Sequence, residues 1–479
     1  MRHTVVTEYN TTCKPHELLR WLLFLTYMLT LMPLSLDIQG FVLYSQDVAL
    51  FPLIYFALIG VFARKDKMIM PWSDTEKLFT LIVLFMTLGT LLSSHIVNSI
   101  DVTLVWCRTV IFYLMVRWFL YEGVIGIGNI EAWWQFFLVA ELVIGLGQIT
   151  SGTNIGVPSN YFGEPLLDPE LVNGPFRISG TTSNSNVFGQ WVTIFALWVN
   201  ARLIFSERKR FYFVIALFVI EVFVLMATYS RGCLAFFLLG NLIVLFFWCA
   251  SIVSAVQKRH LVILTLSLAI IGIVGCVAGF DRLSVLGERI RENADYRREG
   301  MLVAGLKLLQ FPKVLMFGTG MGAYNAGLIE YGIGTDSIST WKDLSDSKSG
   351  IHNIFALFFA EGGIFVGLFF VTLYLRSVCR AFRMAVQRHW GQDYRGTAVF
   401  VLAALISLII PLMVYNSTIS PSLLIFFITL IALVDRLYEI NELKCPLQAD
   451  QEEGSCQVDW DNLKVTEGIN RLSEHNKQG

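Results

Sequence analysis

Charge is scarce in this sequence: 15% of its 479 residues are Asp, Glu, Lys or Arg, and 36 basic side chains nearly cancel 37 acidic ones. Together with 55% hydrophobic residues and a mean hydropathy of +0.61, that scarcity excludes an ordinary soluble domain. The net charge of −1 says nothing about nucleic acid, but no basic tract of the required kind is present, so no nucleic-acid partner is expected. Cysteine pairing is also missing. Cys107, Cys233, Cys249, Cys276 and Cys379 lie in or beside apolar runs, and Cys13, Cys445 and Cys456 lie in the tails. No CxxC or Cys/His spacing occurs, so free thiols and no structural metal are expected. No HExxH, no DxD-type acidic pair and no Ser/His/Asp order stands out, so neither metal nor cofactor is expected. The first apolar run has no small-residue cleavage site behind it and reads as an uncleaved span. No solenoid repeat and no lipidation motif is present.

What the sequence has is apolar runs. A span needs about twenty mostly apolar residues. Twelve runs qualify, centred on 18–36, 44–63, 77–94, 102–121, 132–150, 186–204, 211–228, 232–254, 260–280, 352–375, 397–415 and 419–437. The expected fold is an all-α, polytopic integral membrane protein of about twelve transmembrane helices with one large helical loop. Segment 1–280 holds spans one to nine, with an outer loop at 151–185. The large loop is 281–351, spans ten to twelve fill 352–437, and 438–479 is a polar tail.

Orientation follows from short-loop Lys/Arg bias. One set of loops is basic, with Arg64, Lys65 and Lys67; Arg202, Arg208, Lys209 and Arg210; Lys258 and Arg259; and Arg376, Arg380, Arg383, Arg388 and Arg395. The loops around 37–46, 95–101 and 416–420 have no Lys or Arg, and the two sets alternate. Loop 122–131 carries no Lys or Arg and is silent on the matter. Both termini are therefore expected in the cytoplasm, with 151–185, 227–233 and 281–351 on the outer face.

Within the large loop, Asp281 to Asn293 and Asp295 to Phe311 read as helices, the second stopping before Pro312. Gly318 to Gly322 reads as a tight turn and Asp336 to Gly350 as irregular. Arginines recur on the outer face: Arg177, Arg231, and the adjacent Arg297 and Arg298. An interfacial arginine often snorkels to lipid phosphate, yet several on the side that disfavours them suit a diphosphate, whose oxygens match the guanidinium fork. His352 falls where loop becomes span, near a helix N-terminus that favours a neutral ring able to accept a proton. It reads either as a base or as a cap. Asn353 and Ser230 are candidates for orienting substrate, and Asn353 alternatively satisfies backbone.

Glu141, Glu221 and Glu361 fall inside spans, with Arg108 and Arg117 as available ion-pair partners. Glu361 follows His352 by two and a half helical turns and faces the other way, so Glu361-Gly362-Gly363 reads as structural. Gly318-Thr319-Gly320-Met321-Gly322 follows no strand and lacks the P-loop Lys-Ser/Thr pair, which argues against a nucleotide site.

Four stretches in this order resemble the O-antigen ligase/polymerase superfamily of bacterial envelope proteins. They are Arg177-Ile178-Ser179-Gly180-Thr181 with Asn184 to Asn186, Thr228-Tyr229-Ser230-Arg231-Gly232, Arg297 or Arg298 followed by an amphipathic helix, Pro312 and Gly318-Thr319-Gly320, and His352-Asn353 opening a span with Glu361-Gly362. The resemblance covers roughly residues 170–375. It implies a metal-independent glycosyltransferase at the periplasmic face of the inner membrane. The donor would be an undecaprenyl diphosphate-linked glycan and the acceptor another glycan (polymerase) or lipid A-core (ligase). Membrane lipids, flippase and chain-length regulator proteins are the partners it implies. Arg177, Arg231 and Arg297 or Arg298 become diphosphate ligands and His352 the general base. The chain departs in having two adjacent loop arginines, and in a Thr182-Ser183-Asn184 stretch without the Pro-Asn often found there. A secondary transporter of a small anion or solute, supported by the intramembrane carboxylates, and a non-catalytic assembly subunit are the competing readings.

Overall fold

The computed structural model describes residues 14–31, 35–38, 41–44, 46–63, 72–153, 155, 177–182, 184–205, 211–251, 294–333, 353–387, 392–414 and 421–449. Among these the chain forms fourteen helices and one short antiparallel hairpin, β1 (Ser35–Ile38) and β2 (Phe41–Tyr44), in which Ile38 pairs with Phe41. The helices are α1 (Lys14–Thr30), α2 (Asp47–Ala63), α3 (Asp74–Leu92), α4 (Ile96–Tyr121), α5 (Ile127–Ser151), α6 (Ser185–Phe205), α7 (Phe211–Ala227), α8 (Arg231–Ser251), α9 (Ala294–Leu308), α10 (Pro312–Phe317), α11 (Tyr324–Glu330), α12 (Ile354–Val386), α13 (Gln392–Val414) and α14 (Pro421–Ala449). Seven of them, α3, α4, α5, α6, α8, α12 and α13, are long and apolar enough to cross a membrane, and α2 and α7 contain shorter apolar stretches. The chain is an all-α polytopic membrane protein. The predicted span 260–280 lies outside the described residues, as do the predicted helix 281–293, the stretch 336–350 and the tail beyond Ala449.

The helices begin and end where local chemistry satisfies their free backbone groups. Ser73 and Glu76 form a capping box on α3, in which the Ser73 N–H donates to Glu76 Oε2 at 2.7 Å and the Thr75 N–H donates to Ser73 Oγ at 3.2 Å. α5 ends at Gly152 in the left-handed region, φ 64°. α9 stops before Pro312, which starts α10 at a position where its missing N–H costs nothing.

The helices share an aromatic centre. Trp134 meets Phe195, Trp198, Phe400 and Phe426 at centroid distances of 5.9, 5.3, 5.8 and 6.0 Å, and Tyr27 sits 5.9 Å from Phe426. The Tyr27 and Thr429 hydroxyls pair at 2.6 Å, so the phenol is not stranded in this apolar core. Large apolar side chains such as Leu84, Val97, Phe136, Val143, Leu242 and Phe246 point outward, as lipid-facing surface requires.

Contacts separate the two ends of the bundle. At one end, Ser93 donates to the Thr319 carbonyl at 2.5 Å, Ser94 donates to Glu330 at 2.9 Å, and His95 lies 3.2 Å from Glu330. Because α4 and α5 each cross once, the C-terminal end of α5 returns to this loop face. At the other end ion pairs accumulate. Arg376 binds Asp74 at 2.6 Å, Arg117 binds Glu439 at 2.6 Å and also Glu76, Arg380 binds Asp435, and Arg202 binds Glu131 at 2.5 Å. These pairs carry α12 and α14 beyond the predicted limits at 375 and 437: Val386 and Ala449 end helices whose basic and acidic residues lock onto one another past the apolar slab. Arg108 and Arg117 do not pair with Glu141, Glu221 or Glu361. Arg108 binds Asp47, at the start of α2, at 2.5 Å. Nothing in the local sequence pattern selects among such distant partners.

α12 is broken at Gly363, whose φ of 78° and ψ of −179° are accessible essentially to glycine alone. The break frees two carbonyls. The Thr319 N–H donates to the Ala360 carbonyl and the Gly320 N–H to the Glu361 carbonyl, both at 3.0 Å. The Glu361 carboxylate accepts from the Gly322 N–H at 2.9 Å and from the Tyr324 N–H at 3.2 Å. Burial, with Glu361 beside it, pushes the Tyr324 phenol well above its ordinary value, and its hydroxyl donates to the Met301 carbonyl at 2.5 Å. Gly318, with φ 74° and ψ −176°, faces this break, and a Cβ there would lie 2.0 Å from the Glu361 carbonyl oxygen. Gly318→Ala is therefore expected to destabilise the protein by more than about 1–3 kcal/mol, the conformational cost alone. Gly332→Ala, at φ 65° with open space around it, is the milder control. Thermal unfolding of the two variants in detergent checks this, and equal melting temperatures would contradict it.

Candidate active site

The segment 177–182 is held down by two polar residues of α5 that lie seven positions apart on one helix face. Gln148 accepts from the Ser179 and Gly180 N–H groups at 2.9 and 3.0 Å and donates to the Gly180 carbonyl at 2.8 Å. Glu141 accepts from the Thr181 N–H at 3.1 Å and from the Thr181 hydroxyl. Gly180, φ 57°, is forced: a Cβ would fall 2.3 Å from both Glu141 and Phe188. Glu141 thus serves as the seat of this segment.

From that seat the chain delivers Arg177 into a joint between three elements. Its Nε donates to the Thr228 carbonyl at 2.8 Å, and its Nη2 donates to Asn186 Oδ1 at 3.1 Å. The Ile178 N–H donates to the Ala227 carbonyl at 3.3 Å. Arg177 is 5% exposed. The two separate sequence motifs, 177–181 and 228–232, are therefore one structure.

The turn between α7 and α8 is tight. Tyr229 has φ 51°, a left-handed conformation rare for a side chain of its size. Ser230 is buried, its N–H donates to Thr228 Oγ1 at 3.2 Å, and its hydroxyl accepts from the Cys233 N–H at 3.4 Å, capping α8. Arg231 is the first residue of α8. The Cys233 thiol donates to the Asn186 carbonyl at 3.2 Å, so the N-termini of α6 and α8 touch here.

A second group sits on the same loop face. α9 carries Arg297 and Arg298 in its first turns and packs on α12 through Met301, Ala304 and Leu308 against Leu357 and Ala360. Asn353 caps α12, its Oδ1 accepting from the Phe355 and Ala356 N–H groups at 3.1 Å each. These two bonds satisfy backbone, one of the two roles expected of Asn353. His352 lies outside the described residues and precedes this cap by one position. The side chains of Arg231, Arg297 and Arg298 are likewise outside what is described.

No family model and no curated protein matches the chain.

The N-termini of α6, α8 and α12 all open on the loop face. Asn184, Ser230 and Asn353 each cap first-turn N–H groups there, and each terminus presents the positive end of a helix dipole, which favours a nearby anion. Among the described residues no group of three His, Cys, Asp or Glu side chains is placed to hold a metal ion. Gln148 and Asn186 are the contributors that motif reading undervalued. The spacing of Gln148 from Glu141, two turns along one face, was the available signal.

Proposed function

We propose that the chain is a metal-independent glycosyltransferase of the bacterial inner membrane. It moves a glycan from an undecaprenyl diphosphate donor to a sugar hydroxyl, as a surface-polysaccharide polymerase or as a ligase onto lipid A-core. The observation that carries the reading is the Arg177 joint: a buried arginine fixed by Thr228 and Asn186 where the N-termini of α6 and α8 touch. A diphosphate leaving group needs charge stabilisation more than protonation, and arginines and helix N-termini supply it. Arg231 at the head of α8, and Arg297 or Arg298 on α9, complete the donor site in this reading. His352 takes the acceptor's hydroxyl proton. In this reading the loop face is periplasmic, which is supported by the gathering of Arg202, Arg376, Arg380 and Arg436 at the opposite end.

The break in α12 gives the transporter reading its best support, since broken helices mark transporter sites. Here, however, the freed carbonyls and both Glu361 carboxylate oxygens are taken by the 319–324 backbone. The break is filled by the protein itself, which favours the enzyme.

The test is a strain lacking the chain, analysed by gels of its lipopolysaccharide and extracellular polysaccharide. Single capped repeats are expected of a polymerase, and undecorated core with accumulated lipid-linked polymer of a ligase. An unchanged envelope would overturn the proposal.

A further inference from the structure

Below the Arg177 joint, the same three helices meet a second time around a polar trio in the apolar interior. Glu221 of α7 and Asn200 of α6 are fully buried, and Asn241 of α8 is 5% exposed. Glu221 lies six residues, about 9 Å, along α7 from its end at Ala227.

The hydrogen bonds fix which atom is which. Asn241 Nδ2 donates to the Phe237 carbonyl at 2.9 Å, so its oxygen must face Asn200. Asn200 Nδ2 then donates to Asn241 Oδ1 at 3.2 Å and to Glu221 Oε2 at 2.8 Å, which uses both of its hydrogens. Among the described residues, two buried oxygens are left without a donor: Asn200 Oδ1 and Glu221 Oε1. Both are acceptors if Glu221 is a carboxylate, and neither can satisfy the other. An unpaired carboxylate in an apolar interior is also strongly disfavoured.

One hydrogen shared between these two oxygens would meet both deficits. We propose that the Glu221–Asn200 pair is an intramembrane proton-binding site, with the proton on Glu221 Oε1 donated to Asn200 Oδ1. The result is a closed acid–amide ring: Asn200 Nδ2–H to Glu221 Oε2 on one side, Glu221 Oε1–H to Asn200 Oδ1 on the other. Asn241 orients the amide from behind. A metal cation fits less well, because hard cations take six or more oxygen ligands and only two oxygens are free here. The occupied site ties α6, α7 and α8 together beneath the joint that their outer ends build.

Infrared difference spectroscopy of the full-length protein in lipid, wild type minus Glu221→Gln at neutral pH, reads the site directly. The expected result is loss of a carboxylic-acid C=O stretch that shifts on deuterium exchange, unchanged by added sodium. Glutamine offers an N–H in place of the acid's O–H and re-forms the ring as an amide pair, so this variant is expected to fold and melt like wild type. The combined exchange Asn200→Asp with Glu221→Gln swaps acid and amide and is expected to restore an acid band. Loss of a carboxylate stretch instead, an acid band that sodium converts to carboxylate, or a Glu221→Gln protein that fails to fold would each overturn the proposal.

Discussion

Arg177→Ala is expected to lower glycan transfer about a hundredfold to a thousandfold, the usual cost of removing one preorganised donor to a developing charge. The geometry gives the substitution two separable consequences. One is structural: the Thr228 carbonyl and Asn186 Oδ1 each lose their hydrogen bond from Arg177, and a buried acceptor left unmet costs about 1–3 kcal/mol. The other is chemical, the loss of a fixed cation where two helix N-termini converge. Arg177→Lys separates them. Lysine keeps the charge and can reach one acceptor, but it cannot span the Thr228 carbonyl and Asn186 as a planar guanidinium does. The lysine variant is therefore expected to recover most of the thermal stability and little of the rate. Transfer per unit of monodisperse protein, set beside the melting temperature, checks this. An alanine variant that loses stability yet turns over like wild type would reduce Arg177 to a strut between the 177–182 segment and the α7–α8 turn.

His352→Ala is expected to lose about a hundredfold to ten-thousandfold in turnover, the range for a positioned proton acceptor, with donor binding much less affected. The competing role for this residue is a helix cap. Asn353 already fills that role, its Oδ1 taking the Phe355 and Ala356 N–H groups. A hydrogen-bonding side chain at position 352 is thus not needed to start α12, and His352→Gln is expected to remain as inactive as His352→Ala. Asn353→Ala makes the complementary case. It should cost about 0.5–2 kcal/mol of stability, as cap removal does, and leave the chemistry largely in place. Turnover from the glutamine variant close to wild type would remove His352 from the proton transfer.

The membrane character of the fold was legible because an apolar run of span length has few other uses. α3, α5, α6, α8 and α13 fall on the predicted runs within a few residues. Boundaries were less legible where charge continues a helix. Arg376, Arg380 and Arg383 read as a basic loop, yet α12 runs through them because Asp74 and Asp435 wait on neighbouring helices. The β1–β2 hairpin has only a faint local mark, Gln39-Gly40 between the quartets Ser35-Leu36-Asp37-Ile38 and Phe41-Val42-Leu43-Tyr44. Within the candidate site, the motifs around Arg177 and Arg231 were visible, but their union was not. It rests on hydrogen bonds across fifty-one positions, from Arg177 to Thr228, and on a helix–helix contact between Asn186 and Cys233. The pairing of Glu361 with the Gly318–Gly322 turn was hidden for the same reason. Two short motifs on opposite sides of a long loop carry no local mark of their contact.

The most direct measurement is made on the purified full-length protein in lipid, supplied with an undecaprenyl diphosphate-linked glycan and either more of the same donor or lipid A-core. The account predicts release of undecaprenyl diphosphate together with a lengthened or core-linked glycan, in buffer containing a chelator. Both products should fall together in Arg177→Ala and His352→Ala. Folded wild-type protein that releases no undecaprenyl diphosphate with either acceptor, or variants that release it as fast as wild type, would contradict it.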